Sequence, residues 1–358
     1  MQSILNLSHA GLVAWCEGKQ IPKYRAGQIM TEIFSSRHFD FDEMTTLPKD
    51  LRATLAENFT ISSIVHAEDL TDTDGATKFL FEMQNNDRNR VDGKKIECVL
   101  IPQRNSENVT LCVSSQEGCK LDCKFCATGK LGWKSNLTTG EILSQYLISE
   151  ELSGKKISNI VFMGMGDPLD NYENVVRALT ILLKEQKIFG KNRITLSTAG
   201  FPDRIRELAD SGLNIKLALS LHSTTQAKRE NIMPSAKNWR LPELVRALEY
   251  YYTKTRQVIT FEYILFDGFN DSDDDIKALR KLCSHFPAKI NLIKYHDIEF
   301  TGYQSLLKPT TSDHFFKFAT ELRKFGLDVF TRVSAGEGVA AACGQLALKQ
   351  SKKSNSGD

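Results

Sequence analysis

The sequence predicts an α/β protein: a partial TIM-type barrel of six β/α units, with a small helical N-terminal accessory domain and a β-hairpin linker. Three observations predict this architecture. Apolar runs of strand length alternate with amphipathic helices over residues 105–345, as in parallel βαβ units. Helical periodicity alone occupies residues 1–63, and two strand-like runs follow within 64–104. The remaining segment, 346–358, is polar and basic, and is expected to be a disordered tail.

Length and composition narrow the class of protein. The chain has 358 residues, of which 41% are hydrophobic, so it is long enough for a large α/β unit with an appendage. A formal net charge of +2 neither requires nor excludes a nucleic-acid partner. No secretory leader and no apolar run of about 18 residues is present, so we expect a soluble cytoplasmic protein with no membrane partner. In such a compartment, eight cysteines indicate metal-binding or catalytic thiols rather than a disulfide framework.

The accessory domain is predicted to contain three helices. Ser8 is a candidate cap for the first, the second covers about 23–36, and the third covers 49–58 after Pro48. The surface charges of this domain are ordinary. Taken alone, they do not distinguish a domain that only packs on the barrel from one that contacts RNA.

The linker is predicted to hold two strands, 77–83 and 96–102, joined by a polar loop. In the second strand Glu97 lies on the same face as Val99 and Ile101, and both faces of the strand are largely apolar. Burial would raise the pKa of this carboxyl group and suit it to proton transfer near neutral pH. A glutamate at the edge of a sheet is the alternative interpretation.

The barrel is predicted to contain seven strands and six helices. The strands are expected near 109–115, 157–163, 193–198, 214–220, 258–265, 289–295 and 327–333. The helices are expected near 138–152, 171–187, 202–211, 240–255, 272–284 and 311–325. Active sites of such barrels lie at the C-terminal ends of the strands, so residues directly after each strand are the candidate site residues.

A cysteine-rich loop follows the first barrel strand. Cys119, Cys123 and Cys126 have the spacing C-x3-C-x2-C, Phe125 precedes the last of them, and Cys112 lies seven residues upstream of the first. Clustered thiolates suit a soft metal centre. A ferredoxin-type cluster would need a fourth cysteine, so three thiolates would leave one iron open to a substrate or cofactor. Structural zinc would also need a fourth ligand, and no histidine lies nearby in the sequence.

Polar residues and glycines follow the other strands. Taken alone they are weak signals, because Gly-Asp-Pro is also an ordinary turn and a single histidine is more often structural. The candidates are Gly166, Asp167, Ser197, Ser220, Leu221, His222 and His296.

The cysteine loop and these strand ends together resemble a known family. C-x3-C-x2-C with an aromatic residue before the last cysteine is the pattern of the radical S-adenosylmethionine (SAM) superfamily. The segment TLCVSSQEGCKLDCKFCATGKLG resembles more narrowly the RlmN/Cfr family of RNA adenine methyltransferases. The segments PKYRAGQIMTEIF, FEYILFDGFNDS and AACGQL extend the resemblance along the chain. It implies a radical SAM barrel and an accessory domain that contacts RNA.

The resemblance also implies the cofactors. Cys119, Cys123 and Cys126 would hold a 4Fe-4S cluster with an exchangeable SAM on its open iron, and the strand-end candidates would bind SAM. A flavodoxin- or ferredoxin-type electron donor is implied as well. Two of the SAM-binding candidates depart from the family pattern: Asp167 replaces a glutamate, which shortens its reach by about 1.5 Å, and His296 replaces an asparagine.

Three catalytic roles are implied by the resemblance. Cys343, in AACGQL, would accept a methyl group as a thiolate nucleophile, and Glu97 would remove a proton from the adenine ring. Cys112 would then attack the sulfur of Cys343, leaving a Cys112–Cys343 disulfide. The acidic pair of the family's GxDIDAACGQL is absent, since Gly338 and Ala340 stand there. The other cysteines are interpreted as structural: Cys16, Cys98 and Cys283.

These observations predict a monomeric radical SAM RNA methyltransferase that acts on carbon 2 of an adenine in 23S rRNA, tRNA or both. An adenine ring carbon is not a nucleophile, so direct displacement on SAM does not methylate it and radical chemistry is needed. Two alternatives stay open: Cfr-like methylation of adenine carbon 8 or of another RNA, and a non-catalytic iron–sulfur RNA-binding protein.

Overall fold

The structure, a computed structural model, describes residues 1–83, 94–103, 106–303, 306–332 and 336–348. Its helices are α1 His9–Gly18, α2 Arg25–Phe34, α3 Lys49–Asn58, α4 Ala127–Lys130, α5 Thr139–Ser153, α6 Tyr172–Thr180, α7 Pro202–Asp210, α8 Gln226–Ile232, α9 Leu241–Thr255, α10 Asp273–Cys283 and α11 Ser312–Lys324. Its strands are β1 Gln2–Ser3, β2 Phe59–Thr60, β3 Ile64–Thr71, β4 Thr77–Met83, β5 Lys95–Pro102, β6 Val109–Cys112, β7 Gln116–Glu117, β8 Ser135–Asn136, β9 Ile157–Phe162, β10 Ile194–Thr198, β11 Lys216–Ser220, β12 Ile259–Leu265, β13 Ala288–Lys294 and β14 Asp328–Arg332.

One ten-stranded sheet organises the fold. Its order is β14-β13-β12-β11-β10-β9-β6-β5-β4-β3, and in the described residues β14 and β3 are its two edges. The seven strands from β6 to β14 pair in parallel with their neighbours, whereas β5, β4 and β3 pair antiparallel. The parallel strands are largely apolar on both faces, as β12 (ITFEYIL) shows, because helices cover the outer side and the site fills the inner side.

The crossover helices begin where the sequence provides caps. The hydroxyl groups of Thr138 and Ser272 accept hydrogen bonds from backbone N–H groups three residues later, and the carboxylates of Glu141 and Asp275 complete the capping boxes. Helix α6 continues into a π-helical turn, Ile181–Glu185. These caps fix the residue at which each of the two helices begins. The loops that join them to the preceding segments therefore have defined lengths.

The N-terminal helices and the barrel share one hydrophobic core, in which Leu12, Ile29 and Leu55 are fully buried. Asn6 joins the two parts: its Oδ1 accepts a hydrogen bond from the N–H of Gly140 (2.8 Å), at the start of α5. The short strands β1 and β2 pair in parallel and bring both ends of the helical segment together. The accessory helices therefore pack directly against the barrel.

The predicted strands and helices of the barrel are all present, as are the three accessory helices. The linker differs, because it holds three strands and not a two-stranded hairpin, and these continue the sheet of the barrel. The predicted tail also begins too early: Leu346 and Ala347 are buried, while 349–358 lies outside the described residues. Most of the predicted loop between β4 and β5 also lies outside them. Within the described part of the chain, every helix is too short or too polar to span a membrane.

Candidate active site

A cavity opens at the C-terminal ends of the parallel strands, where the sequence predicts the site. It collects most of the predicted residues from separate loops: Cys119, Cys123, Cys126, Gly166, Asp167, Ser197, Ser220, His222 and Cys343. Two predicted contacts are not among its lining residues. Leu221 is fully buried in the core, and His296, two residues beyond β13, does not line the cavity.

The cysteine loop is held by backbone contacts at both ends. The N–H of Cys119 donates to the carbonyl of Gly132 (3.2 Å), and Cys126 immediately precedes the short helix α4. Burial raises the pKa of the Cys126 thiol, and the N–H groups of Gly129 and Thr128 oppose that rise. These N–H groups would therefore stabilise the sulfur as a thiolate.

The three thiols fit an iron–sulfur cluster by their chemistry. Burial raises the pKa of Cys119 and Cys123, and the nearby Cys126 raises both further, so without a cationic partner these groups stay protonated. Within the described residues, no three Cys, His, Asp or Glu side chains converge on a single ion site. Three thiol groups that line one cavity, with Cys123 buried and the other two partly exposed, are the soft ligands that an iron–sulfur cluster takes.

Arg229 supplies positive charge beside this loop. It is fully buried and donates hydrogen bonds to three backbone carbonyls at the strand ends, those of Ala199 (2.7 Å), Ser220 (3.0 Å) and Leu221 (3.0 Å). Burial lowers its pKa to about 10, and the charge of Cys123 opposes that fall. Its Nη1 has no hydrogen-bond partner in the described structure. A buried guanidinium with a spare N–H next to a metal-ligand candidate indicates that the site is built for negative charge.

Asp167 is buried and joins two strand ends. Its carboxylate accepts hydrogen bonds from the N–H groups of Leu169 (2.9 Å) and Ala199 (2.8 Å) and from the hydroxyl of Thr198 (3.0 Å). Burial raises its pKa to about 6, and these donors limit the rise. The predicted contact between Asp167 and SAM would have to use the lone-pair capacity that these three donors leave.

The backbone conformation and the close neighbours at position 166 require a glycine. It has φ +88°, and a Cβ there would lie 2.5 Å from the Cβ of Gln116. The side-chain oxygen of Gln116 accepts a hydrogen bond from the N–H of Asp167 (3.0 Å), so the glycine lets the two loops approach.

His222 is a neutral histidine in this site. Burial lowers its pKa to about 3, with a further lowering by Arg229. Its Nδ1 accepts a hydrogen bond from the N–H of Ile264 (3.1 Å), so any ring proton is on Nε2. Its ring packs edge-on against Phe125, with ring centroids 4.6 Å apart. The histidine thus fixes the aromatic residue of the cysteine motif.

Sequence reasoning missed several residues here. Glu262, in β12, lines the cavity and accepts a hydrogen bond from Nδ2 of Asn291 (2.7 Å), in β13. Thr198 and Arg229 were also missed. A charged residue inside the apolar run FEYIL was the available signal for Glu262. Arg229 gave none, because its hydrogen-bond partners come from other segments.

A second cavity adjoins the first, and Cys112, the last of the predicted cysteines, lines it. Cys112 and Cys343 line it together with Cys126. The segment that carries Cys343 lies over the cysteine loop, because the carbonyl of Gly344 accepts a hydrogen bond from the N–H of Ala127 (2.6 Å). All eight cysteines are thiols in this structure.

Glu97 is buried as predicted but does not face either cavity. Only 1% of it is exposed, and its Oε1 lies 3.1 Å from Nζ of Lys78, which is itself buried. Its Oε2 accepts hydrogen bonds from the N–H groups of Ala347 (2.9 Å) and Leu348 (3.2 Å). The end of the Cys343 segment therefore covers this carboxylate.

Comparison with known proteins agrees with this geometry. Residues 2–61 match the N-terminal domain of ribosomal RNA large subunit methyltransferases, and residues 113–281 match the radical SAM superfamily. A probable dual-specificity RNA methyltransferase RlmN from Thermotoga sp. (strain RQ2) is 40% identical over 357 residues, 99% of this chain and 100% of that protein. The chain belongs to the RlmN family. It is therefore a radical SAM RNA methyltransferase, with SAM and a 4Fe-4S cluster as its cofactors.

Two further relatives extend the RlmN comparison. A probable dual-specificity RNA methyltransferase RlmN from Clostridium botulinum (strain Alaska E43 / Type E3) is 40% identical over 349 residues, covering 97% of this chain and 96% of that protein. The crystal structure of a radical SAM methyltransferase from Sphaerobacter thermophilus superposes with a TM-score of 0.89. It is 34% identical, and the match covers 98% of this chain and 100% of that one. The whole RlmN fold is therefore present, from the accessory helices to the Cys343 segment.

Proposed function

We propose that this enzyme methylates carbon 2 of an adenine in 23S rRNA, tRNA or both, through a methyl group carried on Cys343. The observation that carries the proposal is that Cys112 and Cys343 line one cavity with the cluster-ligand candidate Cys126. The relatives named dual-specificity RNA methyltransferases support the choice of substrates.

Cys119, Cys123 and Cys126 would hold the cluster, and the strand-end residues around Gly166, Asp167, Ser197, Ser220 and His222 would bind SAM. Together these cofactors supply the radical chemistry that an unactivated ring carbon requires. The polypeptide contributes orientation and charge: Arg229 opposes the negative charge of the sulfurs, and His222 stays neutral because it is buried. Leu221 and His296 are weaker SAM-contact candidates, because neither lines the cavity.

In the proposed sequence, the sulfur of Cys343 would take the methyl group of SAM, and the radical chemistry that the cofactors supply would remove one hydrogen atom from it. The methyl carbon would then bond to the adenine ring carbon, which gives its proton to Glu97 and one electron back to the cofactors. The thiolate of Cys112 then attacks the Cys343 sulfur. A sulfur–sulfur bond forms as the bond from Cys343 to the transferred carbon breaks, and this carbon leaves with the electron pair and takes up a proton. Cys112 suits this step because it shares a cavity with Cys343, and thiol exchange needs a nearby resolving thiolate.

Glu97 is the proposed base for the adenine ring proton. In this structure its Oε2 is occupied by the N–H groups of Ala347 and Leu348. Residues 346–348 would therefore have to move before Glu97 reaches a substrate. Lys78, whose Nζ lies 3.1 Å from Oε1 of Glu97, supplies the opposite charge that a buried carboxylate needs.

The roles of the domains, the electron donor, the oligomeric state and the location also belong to the proposal. Residues 1–63 would contact RNA, 64–104 would connect the two parts and carry Glu97, and 105–345 would form the catalytic barrel. The electron donor would be of the flavodoxin or ferredoxin type, and the enzyme would act as a monomer in the cytoplasm.

The test is anaerobic reconstitution with iron, sulfide, SAM and a transcript of the peptidyl-transferase region or a tRNA, followed by nucleoside mass spectrometry. We expect 2-methyladenosine, whereas 8-methyladenosine would replace the proposal with its Cfr-like alternative. Cys343→Ala should abolish methylation and keep both the cluster and SAM cleavage. Cys112→Ala should trap RNA on the protein in denaturing gels. Full methylation by Cys343→Ala would remove the role assigned to Cys343.

A further inference from the structure

The segment that carries Cys343 has no acidic side chain at 338 or 340, yet two carboxylates contact it from another part of the chain. They come from the turn between β3 and β4. Oδ2 of Asp74 accepts a hydrogen bond from the N–H of Gly336 (3.0 Å), and Oδ2 of Asp72 accepts one from the N–H of Gly338 (2.9 Å). The contacts join residues more than 260 positions apart in the sequence.

Each of the two carboxylates is oriented by a hydrogen bond within its own turn. Oδ1 of Asp72 accepts a hydrogen bond from the N–H of Thr73 (2.7 Å), and Oδ1 of Asp74 accepts one from the N–H of Ala76 (2.9 Å). Each aspartate therefore uses one oxygen to fix its own turn and presents the other to a backbone N–H of the segment. We call Asp72 and Asp74 the aspartate clamp.

The segment is shaped to receive the clamp. A Cβ at Gly338 would lie 2.6 Å from Oδ1 of Asp72, so a side chain at this position would displace the carboxylate. The N–H of Ala341 donates to the carbonyl of Gly336 (2.8 Å), which folds the chain into a turn directly before Cys343. The clamp thus fixes the start of the turn that aims Cys343 at the cavity.

The segment is attached to the rest of the protein on both sides of Cys343, by contacts that differ in burial and in partner. Before it, the aspartate clamp holds Gly336 and Gly338 at a partly exposed site. After it, the segment contacts the cysteine loop, since the hydroxyl of Thr128 donates to the carbonyl of Leu346 (2.7 Å), and it covers Glu97 beyond that. The second attachment has to open for Glu97 to act, as proposed above, so the first must keep Cys343 in reach.

We propose that Asp72 and Asp74 are positioning residues that hold Cys343 at the cavity through the N–H groups of Gly338 and Gly336. The proposal rests on the proposed function in one respect, the role of Cys343 as methyl carrier. The hydrogen bonds of the clamp determine where the Cys343 thiol is held, so they can be tested apart from catalysis.

The test compares Asp72→Ala, Asp74→Ala and the double variant with the wild type, using Asp69→Ala as the control. Asp69 is an acidic residue of β3, and its carboxylate pairs with His66. Anaerobically reconstituted proteins are treated briefly with iodoacetamide, and alkylation of the Cys343 and Cys283 peptides is measured by mass spectrometry. Cys283, in α10, reports any general loosening of the fold.

We expect alkylation of Cys343 to become about threefold faster in each single variant and about tenfold faster in the double variant, as expected for hydrogen bonds at a partly exposed site. Cys283 and the Asp69→Ala protein should match the wild type. Gly338→Ala should mimic Asp72→Ala, because the new Cβ displaces that carboxylate. An unchanged alkylation rate of Cys343, or an equal increase in the alkylation rate of Cys283, overturns the clamp.

A second measurement separates this proposal from the proposed function. After incubation with SAM, the methylated fraction of Cys343 should fall in the double variant while SAM cleavage stays at the wild-type level. Equal methylation in the two proteins overturns the positioning role. If Cys343 of the wild type gains no methyl group, the proposed function fails, and the alkylation rates still decide whether the clamp exists.

Discussion

The strand ends and the Cys343 segment surround the same cavity but are held in different ways. At the strand ends, Asp167 and Arg229 are buried and each makes at least three hydrogen bonds to neighbouring loops. The segment 336–348 has no strand, and a single short 3-10 turn, Glu337–Val339, is its only regular element in the described residues. It is held by separate hydrogen bonds to the cysteine loop, Glu97 and the aspartate clamp, and by a few buried side chains such as Leu346 and Ala347.

This difference separates two tasks of the enzyme. A site that binds cofactors benefits from a fixed geometry, and buried, fully connected polar networks are rigid. A residue that carries a carbon from one partner to another has to occupy more than one position. Segments without strands or long helices open at a lower free-energy cost than the strands of a sheet, so the proposed carrier, Cys343, lies on the less firmly held region.

The largest expected effect tests this division of tasks directly. Cys123→Ser removes a proposed cluster ligand, so iron content, SAM cleavage and methylation should all be lost, in contrast to Cys343→Ala, which should lose methylation alone. Iron analysis, 5′-deoxyadenosine formation and nucleoside analysis measure the three quantities. Cys283→Ser, outside the site, is the matched control. Retention of SAM cleavage by Cys123→Ser would contradict the ligand assignment.

Lys78→Met tests the buried ion pair beneath the segment. Glu97 would keep a buried charge without its cation, so the free energy of unfolding should fall by about 3–5 kcal/mol. Adding Glu97→Gln should recover part of this loss, since the amide is neutral and its oxygen still accepts from the backbone of the segment. Urea unfolding of the two variants measures the difference. A loss below about 1 kcal/mol for Lys78→Met alone would mean that the pair is hydrated.

Arg229→Met tests the rigidity of the strand ends. The carbonyls of Ala199, Ser220 and Leu221 would lose a buried donor, so we expect a loss of about 2–4 kcal/mol. Arg246→Met, an exposed arginine on α9, should change stability by less than about 0.5 kcal/mol. Thermal unfolding of cluster-free protein compares the two variants. Equal melting temperatures would show that the strand ends do not depend on Arg229.

The smallest expected effect is a change in the pH dependence of stability, and it concerns Asp167. Its folded pKa of about 6 lies above the ordinary value of 3.8, so the folded state binds the proton more tightly than the unfolded state. The contribution of Asp167 to the free energy of unfolding is fully present below the pKa of the unfolded state. It is lost as the pH rises towards 6 and beyond. Between pH 4.5 and 7 the stability of cluster-free wild type relative to Asp167→Asn should therefore fall by about 2 kcal/mol. A difference that does not vary with pH would contradict the raised pKa.

Much of the fold was predictable because the parallel strands are buried on both faces and their helices carry caps. Strand β3 was not, because the run IVHAEDLT exposes most of its side chains and lacks the apolar character used to find strands. It forms at the sheet edge through its pairing with β4, which is long-range information.

The lining of the cavity was predictable where residues lie at or just after the end of a strand, as with Ser197 and His222. It was not predictable where partners come from distant segments. Arg229 lies on α8 and bonds to carbonyls after two different strands, and Lys78 meets Glu97 across β4 and β5. The covering of Glu97 by 346–348 also depends on a contact between residues 250 positions apart.

The pairing of β5 with β6 places Val99 opposite Cys112. Glu97, two positions before Val99, and Cys112 are therefore set by the same alignment of two strands. Deleting one residue within β5 would turn Glu97 to the opposite face of the sheet. Relatives and engineered variants should thus gain or lose residues only in the connections around these strands, with the length of each strand under strong purifying selection.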